Sequence, residues 1–156
     1  MSRPAIPTAR EVMQQGLVTV RPEDDVEKAV RTLVRRGVSG APVVDREGRL
    51  RGVLSEHDCI RVLAQAIEGR WPEGRVEQHM TREVESVRPD EDLLAISARF
   101  THGHHRRLLV VEGDRVIGLL SRRDLLRALE AFEGRLAPGR SRSTWDEIAL
   151  RHQTLD

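Results

Sequence analysis

The chain contains one pattern twice. "GVLSEHDCIRVL" spans residues 52–63 and "GLLSRRDLLRAL" spans residues 118–129, so a glycine, two aliphatic residues, Ser-x-x-Asp and an aliphatic stripe recur 66 positions apart. The likeness extends upstream, where "VRP" at 20–22 matches "VRP" at 87–89 with an offset of 67. A repeat of this length predicts two copies of one supersecondary unit that bury their apolar faces against each other.

Each copy predicts the same order of elements, β-α-β-β-α. A proline and acidic residues precede a helix whose apolar positions recur with helical spacing. These positions are Val26, Ala29, Val30, Leu33 and Val34 in the first copy and Leu93, Ile96, Ser97 and Phe100 in the second. Two short β-rich runs with a glycine-containing turn favour a hairpin, and a second helix begins at Ser55 or Ser121. The predicted fold class is α+β, with short mixed sheets flanked by helices.

The repeat divides the chain into four segments. We predict a first repeat with its N-terminal lead-in at 1–67, a connection at 68–75, a second repeat at 76–132, and a linker with a helical tail at 133–156. The connection, "EGRWPEGR", contains two glycines and a proline, which are typical of a chain break between helices. In the tail, Thr144 and Glu147 predict the capping box of a final helix.

Composition argues against several classes of function. The chain has 156 residues, of which 26 are basic and 25 acidic, so its formal net charge of +1 predicts no nucleic-acid or membrane partner. Its aliphatic runs, such as residues 108–111, are far below the roughly 18 apolar residues that a membrane-spanning helix requires. Cys59 is the single cysteine, and no basic, then apolar leader opens the chain. We therefore expect a cytoplasmic location.

Ser-x-x-Asp before an apolar run has two interpretations. The serine caps a helix, and the acid complements the positive end of the helix dipole. A helix N-terminus also offers free N–H groups to a phosphate, and a carboxylate one turn further accepts hydrogen bonds from two ribose hydroxyls. Capping alone does not explain why a Gly-aliphatic-aliphatic strand runs into the cap twice. The repeat therefore favours nucleotide binding at both junctions, in addition to capping.

These features together resemble a known family. The duplicated unit, the "VRP" opening, "GAPVVD" at 40–45 and the two "GxxSxxD" junctions resemble the cystathionine-β-synthase (CBS) domain, and the pair resembles a tandem CBS, or Bateman, module. The likeness spans about residues 10–130. It implies two repeats packed as a pseudo-twofold pair, a homodimer, and a nucleotide sensor without catalysis. The implied ligands are AMP, ADP or ATP, or else S-adenosylmethionine or NAD(H), with no cofactor required.

The resemblance also implies a role for each matching site residue. The family binds its ligand through a small hydroxyl residue on the first strand, a segment that holds the base, a serine or threonine near the phosphate or ribose, and an acid on the ribose. The matching residues are Thr19 and Ser86 for the hydroxyl, Ser39, Gly40, Ala41 and Pro42 for the base, Ser55 and Ser121 for the phosphate or ribose, and Asp58 and Asp124 for the acid. Arg107 and Leu108 are predicted to bind the nucleotide in the second copy, where they occupy the base segment but depart from the family pattern. Leu109 stands where the first copy has Pro42, so the two sites are predicted to be unequal.

The histidines of "THGHH" raise the question of a metal site. His102, His104 and His105 are a ligand type that clusters around metals. They also fall at the predicted end of a helix, where imidazole suits the dipole and Gly103 can supply a left-handed cap. We favour the helix end and predict no metal. Cys59 aligns with Leu125 and is predicted to pack in the core.

The sequence therefore predicts a regulatory protein without a catalytic residue. It would bind an adenine nucleotide, form a homodimer and act on another protein that the sequence does not identify. The alternative is a ligand-free interaction scaffold that acts through its dimer surface and its C-terminal helix.

Overall fold

The computed structural model describes residues 5–67 and 73–136, and confirms the predicted α+β class. The predicted capping box at Thr144 and Glu147 lies outside the described residues. The elements in chain order are α1 (Ala9–Val12), α2 (Val26–Arg36), β1 (Gly40–Val44), β2 (Leu50–Ser55), α3 (Glu56–Ile67), a 3-10 turn (Val76–Gln78), β3 (Ser86–Val87), α4 (Leu93–His102), β4 (Arg107–Glu112), β5 (Arg115–Ser121) and α5 (Arg122–Leu136).

Each repeat contains one small sheet. Strands β1 and β2 form an antiparallel hairpin, and so do β4 and β5, to which β3 adds in parallel. The first copy has no counterpart of β3 beyond a single parallel bridge between Val20 and Val43. The next parallel bridge, between Thr19 and Pro42, would need a backbone N–H from Pro42, which proline lacks. In the second copy the equivalent of Pro42 is Leu109, which pairs with Ser86.

The first helix of each repeat starts at an aspartate cap. The Asp25 side chain accepts the N–H of Lys28, and the Asp92 side chain accepts those of Leu94 and Ala95. These bonds satisfy N–H groups that have no partner within the helix. Helix α2 ends at Gly37, whose φ of 63° is left-handed, a conformation that glycine adopts without steric cost.

The predicted buried faces of α2 and α4 are confirmed in most positions, but Val30 and Ser97 are only half-buried and one position is exposed. On α2, Val26, Ala29 and Leu33 are buried, and on α4 Leu93, Ile96 and Phe100 are buried. Val34 is 76% exposed, so its prediction was wrong. At about 100° per residue, Val34 lies roughly 100° from the centre of the face formed by Val26, Ala29 and Leu33, on the flank of the helix.

A lead-in segment precedes each repeat in the chain, and each lead-in packs against the opposite repeat. Ala9 of α1 is fully buried in the core of the second repeat, and its N–H donates to the Glu91 carbonyl at 2.8 Å. Val76 is fully buried in the core of the first repeat, and its N–H donates to the Asp24 carbonyl at 2.9 Å. Each lead-in thus crosses to the other repeat, and these contacts hold the two repeats together.

Direct contacts also join the two hairpins. The Leu50 N–H donates to the Asp114 carbonyl at 2.8 Å, and the backbones of Arg49 and Arg115 form an isolated antiparallel β-bridge. The equivalent elements therefore lie side by side as a pseudo-twofold pair. Within residues 5–67 and 73–136, no helix combines the length and the hydropathy that crossing a membrane requires.

Candidate functional site

The two Ser-x-x-Asp junctions have the same geometry. The backbone N–H and the hydroxyl of Ser55 donate to Asp58 Oδ2 at 2.8 and 2.6 Å, and the Asp58 N–H donates to Ser55 Oγ at 3.2 Å. Ser121 and Asp124 repeat these three bonds at the same distances. Each serine ends a strand and each aspartate lies in the first helical turn, so both junctions are reciprocal capping boxes. The predicted starts of α3 and α5 are confirmed.

Both aspartates are buried, and both have a further partner. Asp58 is 2% exposed, and its Oδ1 accepts Arg61 Nη2 at 2.6 Å and Thr81 Oγ1 at 3.4 Å. Asp124 is 8% exposed, and the Gln14 side-chain amide donates to its Oδ1 and Oδ2 at 2.8 and 2.9 Å. A buried carboxylate requires such donors, because a buried polar group without a hydrogen-bond partner costs on the order of 1–3 kcal/mol, and a charged group costs more.

Hydrogen bonding determines the charge state of Asp124. Burial by itself raises the pKa of this carboxyl, but the bonds from Ser121 and Gln14 and the charge of Arg127 act in the opposite direction. The resulting pKa is lower than usual. Asp124 is therefore an anion at neutral pH and acts only as a hydrogen-bond acceptor.

The predicted base-holding segments lie opposite the serine caps. Gly40 pairs with Ser55 across the first hairpin, and Arg107 pairs with Ser121 across the second. Arg107 also reaches the first repeat, where its Nη1 donates to Ser39 Oγ at 2.6 Å. The start of one hairpin is thus linked directly to the start of the other.

The remaining predicted site residues differ in accessibility. Thr19 is exposed next to the Val20–Val43 bridge, and Ser86 is half-buried opposite Leu109. Ala41 and Leu108 are each 1% exposed and belong to the two hydrophobic cores. Pro42 is also buried. At these three positions the side chains pack into the protein interior.

Sequence reasoning missed three residues that contact the aspartates: Gln14, Arg61 and Thr81. Gln14 and Thr81 are equivalent, since they are 67 positions apart in the two lead-ins, the same offset as the "VRP" segments. This shared offset could have identified Gln14 and Thr81 as equivalent residues. It does not show that the lead-ins cross, and therefore it does not show which aspartate each residue contacts.

One open cavity of about 240 Å³ reaches a predicted site residue. It is lined by Val12, Asp124, Arg127 and Ala128, between α1 and α5. A second open cavity, of about 390 Å³, lies beside α4 and includes Glu85, Arg99 and His102.

The histidine segment ends helix α4. His102 Nδ1 lies 2.7 Å from the Ala98 carbonyl, and His105 Nε2 pairs with Glu85. Gly103 is extended, with φ of −102°, so the predicted left-handed cap was wrong; its N–H donates instead to the Arg99 carbonyl. In the part of the chain that the structure describes, no three His, Cys, Asp or Glu side chains are grouped for a metal ion.

Cys59 packs in the first core, as predicted. It is 7% exposed, and burial raises the pKa of its thiol, with the charges of Asp58 and Glu56 acting in the same direction. A protonated thiol in a core is a poor nucleophile.

Comparison with known proteins agrees with the repeat. The model of the CBS domain family matches residues 9–65 and 76–131, which together make up most of the chain. Inosine-5'-monophosphate dehydrogenase of Methanocaldococcus jannaschii is 31% identical over 124 residues, which are 79% of this chain and 24% of that enzyme. In the first three curated relatives the chain spans between 14% and 42% of the relative's length.

Solved structures share the fold. The structure of CBSX2 in complex with AMP has a TM-score of 0.71 and 28% identity, and the match covers 81% of this chain and 98% of that one. The CBS domain pair of protein MJ0100, in complex with 5'-methylthioadenosine and S-adenosyl-L-methionine, has a TM-score of 0.67 at 22% identity, over 81% of this chain and 98% of that one. At that identity the second match concerns the fold alone.

Proposed function

The chain belongs to the CBS domain family, and from this premise we propose that it is a regulatory module that binds an adenosyl ligand at its two Ser-x-x-Asp junctions. One observation carries the proposal: the same buried carboxylate, with the same three bonds to the preceding serine, occurs at two equivalent places. The AMP complex of CBSX2, a similar structure, supports an adenosyl ligand.

The chemistry of each junction fits a ribose and a phosphate. Asp58 and Asp124 are acceptors of the kind that bind vicinal ribose hydroxyls. The starts of α3 and α5, of 12 and 15 residues, present backbone N–H groups and a partial positive charge to an anion. The backbone at Gly40 and Arg107 lies across the hairpin from each serine, which supports a role for these two positions in holding the base.

The charges around the two junctions are unequal. The second junction carries two pairs of arginines, at the start of β4 and at the start of α5. The residues are Arg106, Arg107, Arg122 and Arg123, and the equivalent first-copy residues are Ser39, Gly40, Glu56 and His57. Arginine side chains bind phosphate strongly, so this difference favours a ligand with phosphate groups, which AMP, ADP, ATP and NAD(H) have, over S-adenosylmethionine, which has none.

Signalling would follow from population shift. A ligand that binds one arrangement of the repeats better than another shifts the equilibrium by that difference in affinity. Helix α3 leaves Ile60, Leu63 and Ile67 51–88% exposed at helical spacing, which supports a homodimer through this face. We place the protein in the cytoplasm, without catalysis of its own, acting on a regulated protein that the chain does not identify.

The scaffold alternative has an observation in its favour. Protein groups donate to both oxygens of each aspartate, as they would in a purely structural capping box. A thermal-shift panel with AMP, ATP, S-adenosylmethionine and NADH separates the two functions. A sensor gains several degrees of melting temperature with at least one of these ligands at saturation, whereas a scaffold gains with none. Recovery of the ligand unchanged after incubation distinguishes a sensor from an enzyme.

A further inference from the structure

We propose that Gln14 sets the ligand affinity of the second junction, because its side-chain amide competes with the ribose hydroxyls for Asp124. The inference rests on the proposed function and adds a further residue that makes the two junctions unequal.

The lead-in holds Gln14 in a fixed position beside the second junction. The Gln14 N–H donates to the Leu119 carbonyl at 2.8 Å, and the Leu119 N–H donates to the Gln14 carbonyl at 3.0 Å. These two bonds attach the backbone to β5, two residues before the Ser121 cap. From there the side-chain amide reaches both oxygens of Asp124, at 2.8 and 2.9 Å.

The acceptor capacity of Asp124 leaves no room for an additional diol. A carboxylate offers about four lone-pair sites. Oδ2 of Asp124 accepts the Ser121 N–H and the Ser121 hydroxyl, which together use its two lone pairs. The Gln14 amide lies within hydrogen-bond distance of both oxygens and is the donor at Oδ1. The serine bonds belong to the start of α5, so the Gln14 amide is the donor that a ribose would replace, and both hydroxyls of a vicinal diol would then bind Oδ1.

The first junction provides a natural contrast. Thr81, the counterpart of Gln14, reaches only Oδ1 of Asp58, at 3.4 Å. The other donor to that oxygen is Arg61, whose side chain is 65% exposed. Although Asp58 is buried, the Arg61 side chain lies largely in solvent, so a ribose hydroxyl can replace its bond to Oδ1 while the long arginine side chain turns back into water. A threonine is too short to span both carboxylate oxygens, so it competes less.

This equivalence supplies a reciprocal exchange experiment. Asp58→Asn removes the first acid and leaves the second junction to be measured alone. In that background Gln14→Thr should raise the affinity for AMP by about threefold to tenfold, since hydrogen bonds to a charged group are among the stronger ones. In an Asp124→Asn background, Thr81→Gln should lower the affinity for AMP at the first junction.

A second nucleotide separates competition from a change in the fold. 2'-Deoxy-AMP lacks one of the two hydroxyls, so Gln14→Thr should raise its affinity much less than that of AMP. Both nucleotides are titrated by calorimetry. Gln14 is exposed, and the melting temperature without ligand should stay within a few degrees of the background variant.

The outcomes distinguish this inference from the function on which it rests. Unchanged or weaker AMP binding by Gln14→Thr, or an equal gain for both nucleotides, overturns the role of Gln14 and leaves the ligand site standing. Absence of AMP binding in the wild type and in every variant overturns the proposed function, and this inference with it.

Discussion

Asp58 and Asp124 belong to helix caps and are also the acids that we propose to bind a ribose, and the sequence pattern does not separate these two roles. The Ser-x-x-Asp spacing predicted the bonds within each capping box, because these depend only on residues three positions apart. The pattern did not predict Gln14 on Asp124, which comes from a residue 110 positions away. The local half of each site follows from sequence, and the half supplied by the lead-ins does not.

Lowering the pH should show how much the hydrogen bonds of Asp124 contribute to the free energy of unfolding. The pKa of its carboxyl is lowered in the folded protein, so its contribution to stability is complete above the ordinary pKa of 3.8 and is lost as pH falls through the folded value. The wild type should therefore lose more free energy of unfolding between pH 7 and pH 3 than Asp124→Asn does. Urea unfolding at both pH values measures this. Equal losses would show that the carboxylate contributes no pH-dependent stability.

Arg107 should distinguish a phosphate site from a surface arginine. Arg107→Ala should lower the affinity for ATP by about tenfold, since a charge-assisted hydrogen bond contributes on the order of 1.5–3 kcal/mol. The affinity for adenosine should change by less than about twofold, because it carries no phosphate. Arg115→Ala, at the other end of the same hairpin, is the matched control. Equal loss of adenosine and ATP binding would refute a phosphate role.

Among the elements, the lead-ins were the least predictable from sequence. The starts of helices α3 and α5 and the hairpin pairs follow from local spacing and turn residues. Which repeat each lead-in packs against depends on contacts far apart in sequence, such as Ala9 with Glu91. Val34 shows the same limit within a helix, since only the partner element decides how wide the buried face is.

The glycine that opens each repeated pattern allows the lead-in to cross the hairpin. A Cβ at Gly52 would lie 2.6 Å from the Thr81 carbonyl oxygen, and one at Gly118 would lie 2.4 Å from Met13 Sδ. The Thr81 oxygen belongs to the backbone and cannot move aside, whereas at Gly118 the Met13 Sδ can move and the Met13 Cβ, at 2.9 Å, has a smaller shift to make. Gly52→Ala should therefore cost about 1–3 kcal/mol of unfolding free energy, and Gly118→Ala less. Denaturant melts of the two variants test the order, and the reverse order would contradict it.

At the scale of the whole molecule, the exposed face of α3 predicts assembly. Ile60, Leu63 and Ile67 form an apolar stripe on one side of the helix, which a second copy would cover. Light scattering at tens of micromolar chain should give twice the monomer mass. Leu63→Glu should shift the mass toward the monomer, whereas Arg46→Glu in the β1–β2 turn should not. A wild-type monomer, with and without AMP, would refute the dimer.

The repeated junction, as we propose, binds a ribose as well as capping a helix. The most direct test of this proposal is calorimetric titration of AMP and ATP into the wild type and into the double variant Asp58→Asn, Asp124→Asn. Asparagine keeps the size and one acceptor oxygen, so each substitution should change the free energy of unfolding by no more than about 1 kcal/mol. The double variant should lose affinity by at least about tenfold, or about 1.4 kcal/mol. Equal binding by wild type and double variant would contradict it, and would leave Ser-x-x-Asp as a helix cap alone.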